Sequence, residues 1–119
     1  MSRLAPGVVV DVAALVAAHE SVPAEQVLEG ASTVWAADLD DDGARTVGVW
    51  ELTPGRMSDV EVDEVFVVVA GDATVSFEEP ALPDVELGPG SILRLTAGMR
   101  TVWTVRETLR KVYLLPPGA

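Results

Sequence analysis

Cysteine is absent from the 119 residues, which excludes disulfides, cysteine nucleophiles and thiolate metal sites. Histidine occurs once. His19 closes an N-terminal segment, where it reads as solvent-facing, with no catalytic role. Positive charge is scarce: eight Lys and Arg against nineteen Asp and Glu give a formal charge of −11. Such a chain lacks the cationic footprint that nucleic acid or an anionic membrane surface requires, so neither is an expected partner. The acidic residues are dispersed and form no tail, which marks a solvated surface. Long apolar runs are missing too. The opening MSRLAPGVVVDVAALVAA is interrupted by Asp11, preceded by a single basic residue, Arg3, and too short to span a bilayer. The expectation is a mature, cytoplasmic protein.

Hydrophobic residues make up 49 % of the chain, enough for one domain with a single core. Valine dominates them, and β-branched side chains suit a pleated surface better than a helix. Residues 8–20 change character at Asp11, a candidate N-cap. Val12, Leu15 and Val16 follow at helical spacing, so a short helix or arm is expected over residues 1–26. A barrel is expected over 27–115 and a tail over 116–119. Strands are read at Ser32–Leu39, Thr46–Thr53, Glu64–Val69, Ala73–Phe77, Ser91–Leu95, Arg100–Val105 and Leu109–Leu115. The segment EEPALPDVELGPG, with three prolines, reads as a loop around a short edge strand at most. About eight short strands at regular spacing predict an all-β barrel or sandwich. Asp38-Leu-Asp-Asp-Asp-Gly43 matches the first half of a calcium loop, but Val49 stands where its bidentate glutamate belongs. A hairpin turn rich in aspartate is the better reading.

Alternation puts Val49, Glu51 and Thr53 on one strand face and Trp50 with Leu52 on the other. Trp50 and Leu52 are assigned to the core, leaving Glu51 at the barrel surface or mouth. Thr101, Trp103 and Val105 share a face. On the last strand Val112 and Leu114 mark the core side, which puts Lys111 and Tyr113 outside, at a subunit contact.

Two motifs resemble those of the cupin family. Gly90 is followed at the family's spacing by Thr96, Ala97, Gly98, Thr101 and Val105. Glu64 is followed by six residues and then Gly71. Val27–Gly30, Gly48–Gly55 and Trp103–Tyr113 extend the likeness to short single-domain cupins. These are similar to the cupin domains associated with ureidoglycine aminohydrolase and with an ethanolamine-utilisation protein. The resemblance implies a small jelly-roll barrel, a double-stranded β-helix of two Greek-key halves.

Cupin enzymes hold a transition metal with three imidazoles and one carboxylate. Of that set the chain retains Glu64. Counting back three residues puts Ser58 and Val60 at the paired histidine places, and a four-residue gap puts Met57 and Asp59 there. Thr101 stands at the third. Asp59 or Asp63 could add an oxygen, although Asp63 adjoins Glu64 and should face the other way. One carboxylate does not hold a transition metal against water, so no metal and no cofactor are expected. What remains is a pocket of Ser58, Val60, Glu64, Phe66, Thr101 and Trp103, with Trp103 alternatively plain barrel filling. The resemblance also carries an inward Lys111 and Tyr113 beside Glu64, against their outward reading. Glu51 stays open between pocket and interface. Three functions follow: a metal-free cupin binding a small organic molecule; a metal-independent isomerase, lyase or hydrolase with Glu64 as acid/base; or a dimeric structural module. A homodimer is expected, since cupins often pair edge to edge.

Overall fold

The structure, a computed structural model, describes residues 4–118. The first three residues of the expected arm and the last of the expected tail lie outside that range. Nine strands form among the described residues: β1 (Glu20–Ser21), β2 (Val27–Glu29), β3 (Thr33–Asp41), β4 (Thr46–Leu52), β5 (Gly55–Val60), β6 (Glu64–Glu79), β7 (Leu82–Leu87), β8 (Ile92–Leu95) and β9 (Arg100–Leu115).

β6 and β9, sixteen residues each, pair antiparallel from Val65 opposite Leu114 to Glu79 opposite Arg100. Register shifts between Val68 and Ala73 bend this ribbon, as bulges do. Each half of β9 then finds a different second neighbour. Its C-terminal half pairs with β4, Leu52 opposite Leu109, and its N-terminal half with β5, Gly55 opposite Val105. β3 and β1 extend the first half, β2 extends the second, and β8 and β7 flank β6. The sheet curls on itself as a jelly-roll barrel. The sequence suggests separate strands either side of Gly71, but the strand continues. Gly71 has φ +107°, and a Cβ there would lie 2.4 Å from the Thr108 carbonyl oxygen. The glycine permits the bend and the close passage of β9 without ending the strand.

Alternation along the strands builds the core. Phe66, Val68, Ala73 and Val75 of β6 meet Trp103, Val105 and Leu109 of β9, Leu52 of β4 and Met57 of β5. Burying each large side chain contributes about 1.5–3 kcal/mol.

Two expectations need correction. Of the helix or arm expected near the N-terminus, the described residues form an arm and no helix. Asp11 instead makes a turn, its Oδ1 accepting from the Ala13 amide and its carbonyl from the Ala14 amide. The carbonyls of Val12 and Leu15 accept from Arg110 Nη1 at 2.8 and 2.7 Å. A helix this short is marginal alone, and the guanidinium holds those carbonyls in an extended strap. The proline-rich segment holds the short edge strand allowed for it: among the described residues β7, six residues long, pairs only with β6. Its Pro83 is tolerated because an edge strand leaves one row of amides without partners. Second, the outward reading of Lys111 and Tyr113 gives way to the inward one that the resemblance carries, while Leu114 is exposed and Val112 half-buried. The aspartate-rich stretch is a hairpin turn: Asp41 and Asp42 side chains accept from the amides of Gly43, Ala44 and Arg45.

Candidate functional site

The start of β6 and the end of β9 lie side by side in the sheet, so the inward side chains of both converge on one end of the barrel. Lys111 Nζ is 2.7 Å from Glu64 Oε2, and the two side chains are 5 % and 9 % exposed. Glu64 Oε2 takes no other partner, and the ammonium lies outside good hydrogen-bond geometry, so the contact is an ion pair. Three rings surround the same ammonium, with centroids at 4.1 Å for Phe66, 4.5 Å for Trp50 and 4.8 Å for Trp103. Desolvated cation–π contacts stabilise a charge by about 2 kcal/mol. The rings brace one another: Trp103 sits 5.5 Å from Trp50 and 5.8 Å from Phe66, both tilted.

Beside this cage lies Glu61, in the β5–β6 connection. Its backbone is pinned to the turn before β9, its amide donating to Met99 and its carbonyl accepting from Gly98. The side chain is buried, and Oε2 accepts from Thr101 Oγ1 at 2.5 Å and Trp103 Nε1 at 3.1 Å. Burial pushes its pKa up; the Thr101 hydroxyl pulls it back, and the Asp59 charge adds to the rise. Asp59, opposite Thr101 in register, is likewise pushed up by burial. Its Oδ1 accepts from the Val60 amide and, at 3.3 Å, from Gln26 Nε2. In the same row Tyr113 donates to Asp38 at 2.7 Å, and burial followed by that carboxylate raises the phenol's pKa. These groups border a cavity of about 280 Å³ walled by Trp50, Asp59, Glu61, Glu64, Trp103 and Lys111, with Val60 and Val62 at its rim.

The candidates from sequence fall into three groups. Glu64, Lys111, Tyr113 and Trp103 border the cavity, while Phe66 lies beneath Lys111 and Thr101 behind Glu61. Ser58 does not border it, and Val60 reaches only its rim. Met57 pairs with Trp103 and Asp59 with Thr101, so the four-residue gap is the inward register. Ser58 borders a separate groove with Gln26, Glu78 and Arg100, and Val60 is 59 % exposed. Glu51 is on the opposite side of the sheet from the cavity, buried beneath the N-terminal strap. Arg110 Nε donates to it at 2.8 Å, and His19 Nε2 lies 2.5 Å from its other oxygen. Burial raises the Glu51 pKa, but the bonds from Arg110 and His19 outweigh it and the net direction is down. His19, read as solvent-facing, is exposed, and its ring also ties the strap to Glu51.

Sequence reasoning missed Glu61 and the inward role of Asp38. A signal for Glu61 existed: Met57, Asp59 and Glu61 alternate, and once Met57 is placed inward the other two follow. The donor set does not fit a transition metal. Glu64 already faces an ammonium, and His19, the single histidine of the chain, is outside the barrel. Among the described residues no three His, Cys, Asp or Glu side chains are grouped so as to hold a metal ion.

Residues 39–113 match the EutQ-like cupin domain family. The fold is similar to that of the Clostridium difficile EutQ protein, with a TM-score of 0.62 and 18 % identity over 72 % of this chain and 69 % of that one. A structural-genomics protein of unknown function from Rhizobium leguminosarum aligns with a TM-score of 0.62 and 23 % identity, over 71 % and 81 % of the two chains. A protein of unknown function from Pseudomonas syringae reaches 0.72 at 19 % identity, over 86 % of this chain and 45 % of the other. At such identities the likeness speaks for the fold alone. No curated protein matches the chain. No helix among the described residues is long and apolar enough to cross a membrane.

Proposed function

The chain belongs to the EutQ-like cupin domain family, and on that footing we propose that it is a binding module, receiving a small organic molecule in the barrel cavity without a bound metal. The observation that carries this reading is the cavity itself. Its volume, about 280 Å³, lies near the lower end of small-ligand pockets. Indole rings supply apolar wall, and a few fixed polar groups supply orientation, the combination such sites use.

The three tryptophans provide the test. Trp50 and Trp103 wall the cavity, whereas Trp35 stacks under Arg110 on the outside, 5.3 Å from its guanidinium. A fragment screen followed by indole N–H resonances should shift Trp50 and Trp103 and leave Trp35 in place. A screen in which no fragment moves either cavity indole counts against the proposal.

A second reading, a metal-independent isomerase, lyase or hydrolase, has one observation in its favour. Glu61 is a buried carboxyl whose two hydrogen bonds both go to Oε2, leaving Oε1 for a substrate proton. The acid/base role then passes from Glu64, which is tied to Lys111, to Glu61. Turnover of any substrate that survives Glu61→Gln unchanged would exclude that assignment.

A further inference from the structure

The charges that face the cavity do not balance. β5 contributes Asp59, the following connection Glu61 and β6 Glu64, while β4 contributes none; Asp38 of β3 stands behind Tyr113. Asp63 is turned away, accepting from the Ala97 amide. β9 contributes Lys111 and the neutral phenol of Tyr113. Tyr113 satisfies Asp38, and Lys111 satisfies Glu64. Among the described residues Asp59 and Glu61 have hydrogen bonds from neutral donors and no ion pair; the Lys111 charge favours both carboxylates from a distance but is paired to Glu64.

Their geometry leaves them available. Both bonds to Glu61 go to Oε2 and both to Asp59 go to Oδ1, so Oε1 and Oδ2 remain as acceptors. The apolar wall next to them is Trp50 and Trp103, whose faces already hold one ammonium, that of Lys111. An anion is disfavoured at this end of the barrel because the one cation bordering the cavity among the described residues, Lys111, is engaged by Glu64 and three rings. A neutral guest would leave two desolvated carboxyls uncompensated.

We propose that the cavity takes a small organic cation, a primary alkylammonium, with its N–H groups on Asp59 and Glu61 and its apolar body against Trp50 and Trp103. The assignment rests on the binding-module reading above and narrows it to one class of ligand. A protonated amine suits better than a bare cation, because both open carboxyl oxygens accept hydrogen bonds and the rings need an alkyl partner. The ligand also competes with protons for Asp59 and Glu61. Burial raises both carboxyls, so affinity for the amine increases as pH climbs through and above the ordinary carboxylate range.

The experiment uses three probes of one shape: n-butylammonium, n-butanol and butyrate, titrated at matched ionic strength while the three indole N–H resonances are followed. Butylammonium should shift Trp50 and Trp103 saturably, butanol more weakly, and butyrate not at all. Glu61→Gln and Asp59→Asn should each weaken butylammonium about tenfold, the loss expected for one charge-assisted hydrogen bond, and weaken butanol by much less. Glu86→Gln, in the exposed Arg106 cluster, should change nothing. Thermal melts of each variant establish that it is folded, and the two isosteric variants stand in for each other if one is not. Butyrate or butanol binding in place of butylammonium overturns the cation assignment and leaves the binding module standing. Equal affinity for butylammonium in the wild type and both variants overturns it as well. Silence of Trp50 and Trp103 toward all three probes, and toward the wider fragment screen, removes both.

Discussion

The side chain that Gly48 lacks is replaced in space by the ring of Tyr113. A Cβ on Gly48 would fall 2.2 Å from both the Tyr113 ring carbon Cζ and its hydroxyl oxygen, and the two residues are register partners on β4 and β9. The glycine thereby lets Tyr113 lie across the neighbouring strand and reach Asp38.

Gly48→Ala is predicted to destabilise the fold by about 1–3 kcal/mol, the usual range for overpacking. Chemical denaturation measures it. The loss should shrink when Tyr113→Leu is added, because the clash is with the ring. An equal loss in both backgrounds would point to the backbone instead.

Lys111 lies opposite Val68 in register, yet its ammonium reaches past Phe66 to Glu64 at the start of the strand. Removing one partner strands a buried charge. Lys111→Met and Glu64→Gln should each cost about 3–5 kcal/mol, a large share of the stability of a single domain. The double variant should recover much of that loss. A double-mutant cycle with no coupling between the positions would refute the pairing.

Glu61 and Asp59 give a pH prediction of definite sign. Their folded-state values lie above the ordinary ones. The stability they contribute is therefore complete below the ordinary values, about 3.8 for Asp and 4.5 for Glu, and is lost as pH rises through the raised values. Glu61→Gln should flatten the fall in unfolding free energy on the alkaline side of pH 4.5. An unchanged slope would mean that Glu61 is solvated like any surface carboxyl.

Glu51 acts in the other direction. Its value is depressed by Arg110 and His19 against the effect of burial, so its contribution is present above the usual 4.5 and is lost as pH falls through the lowered value. Arg110→Lys cannot serve two carbonyls and a carboxylate with one planar fork. We predict loss of about 3 kcal/mol and much faster proteolysis ahead of β1, with the barrel intact. Protection of the strap in that variant would mean that something other than Arg110 holds it.

The strands were legible because valine-rich alternation and glycine turns are local signals, and the spacing from Gly90 to Thr101 gave the barrel. The site was less legible. Hydrophobic alternation assigned the core side of β9 to Val112 and Leu114, since the rule has no way to foresee a buried lysine satisfied by Glu64 and three rings. Ser58 and Val60 came from a motif count with two permitted gaps, and the packing of Met57 against Trp103 decides between them. The strap failed for a different reason. Its periodicity suited a helix, but Arg110, almost a hundred residues away in sequence, claims its carbonyls. Gly71 read as a strand end, whereas here a glycine lets a strand turn a corner.

The positive charge beside Glu64 is covalently part of β9. No chelator strips it, no competing ion exchanges with it, and no supply from the medium sets its occupancy. It arrives whenever the barrel closes, so loading the position and folding the chain are a single event.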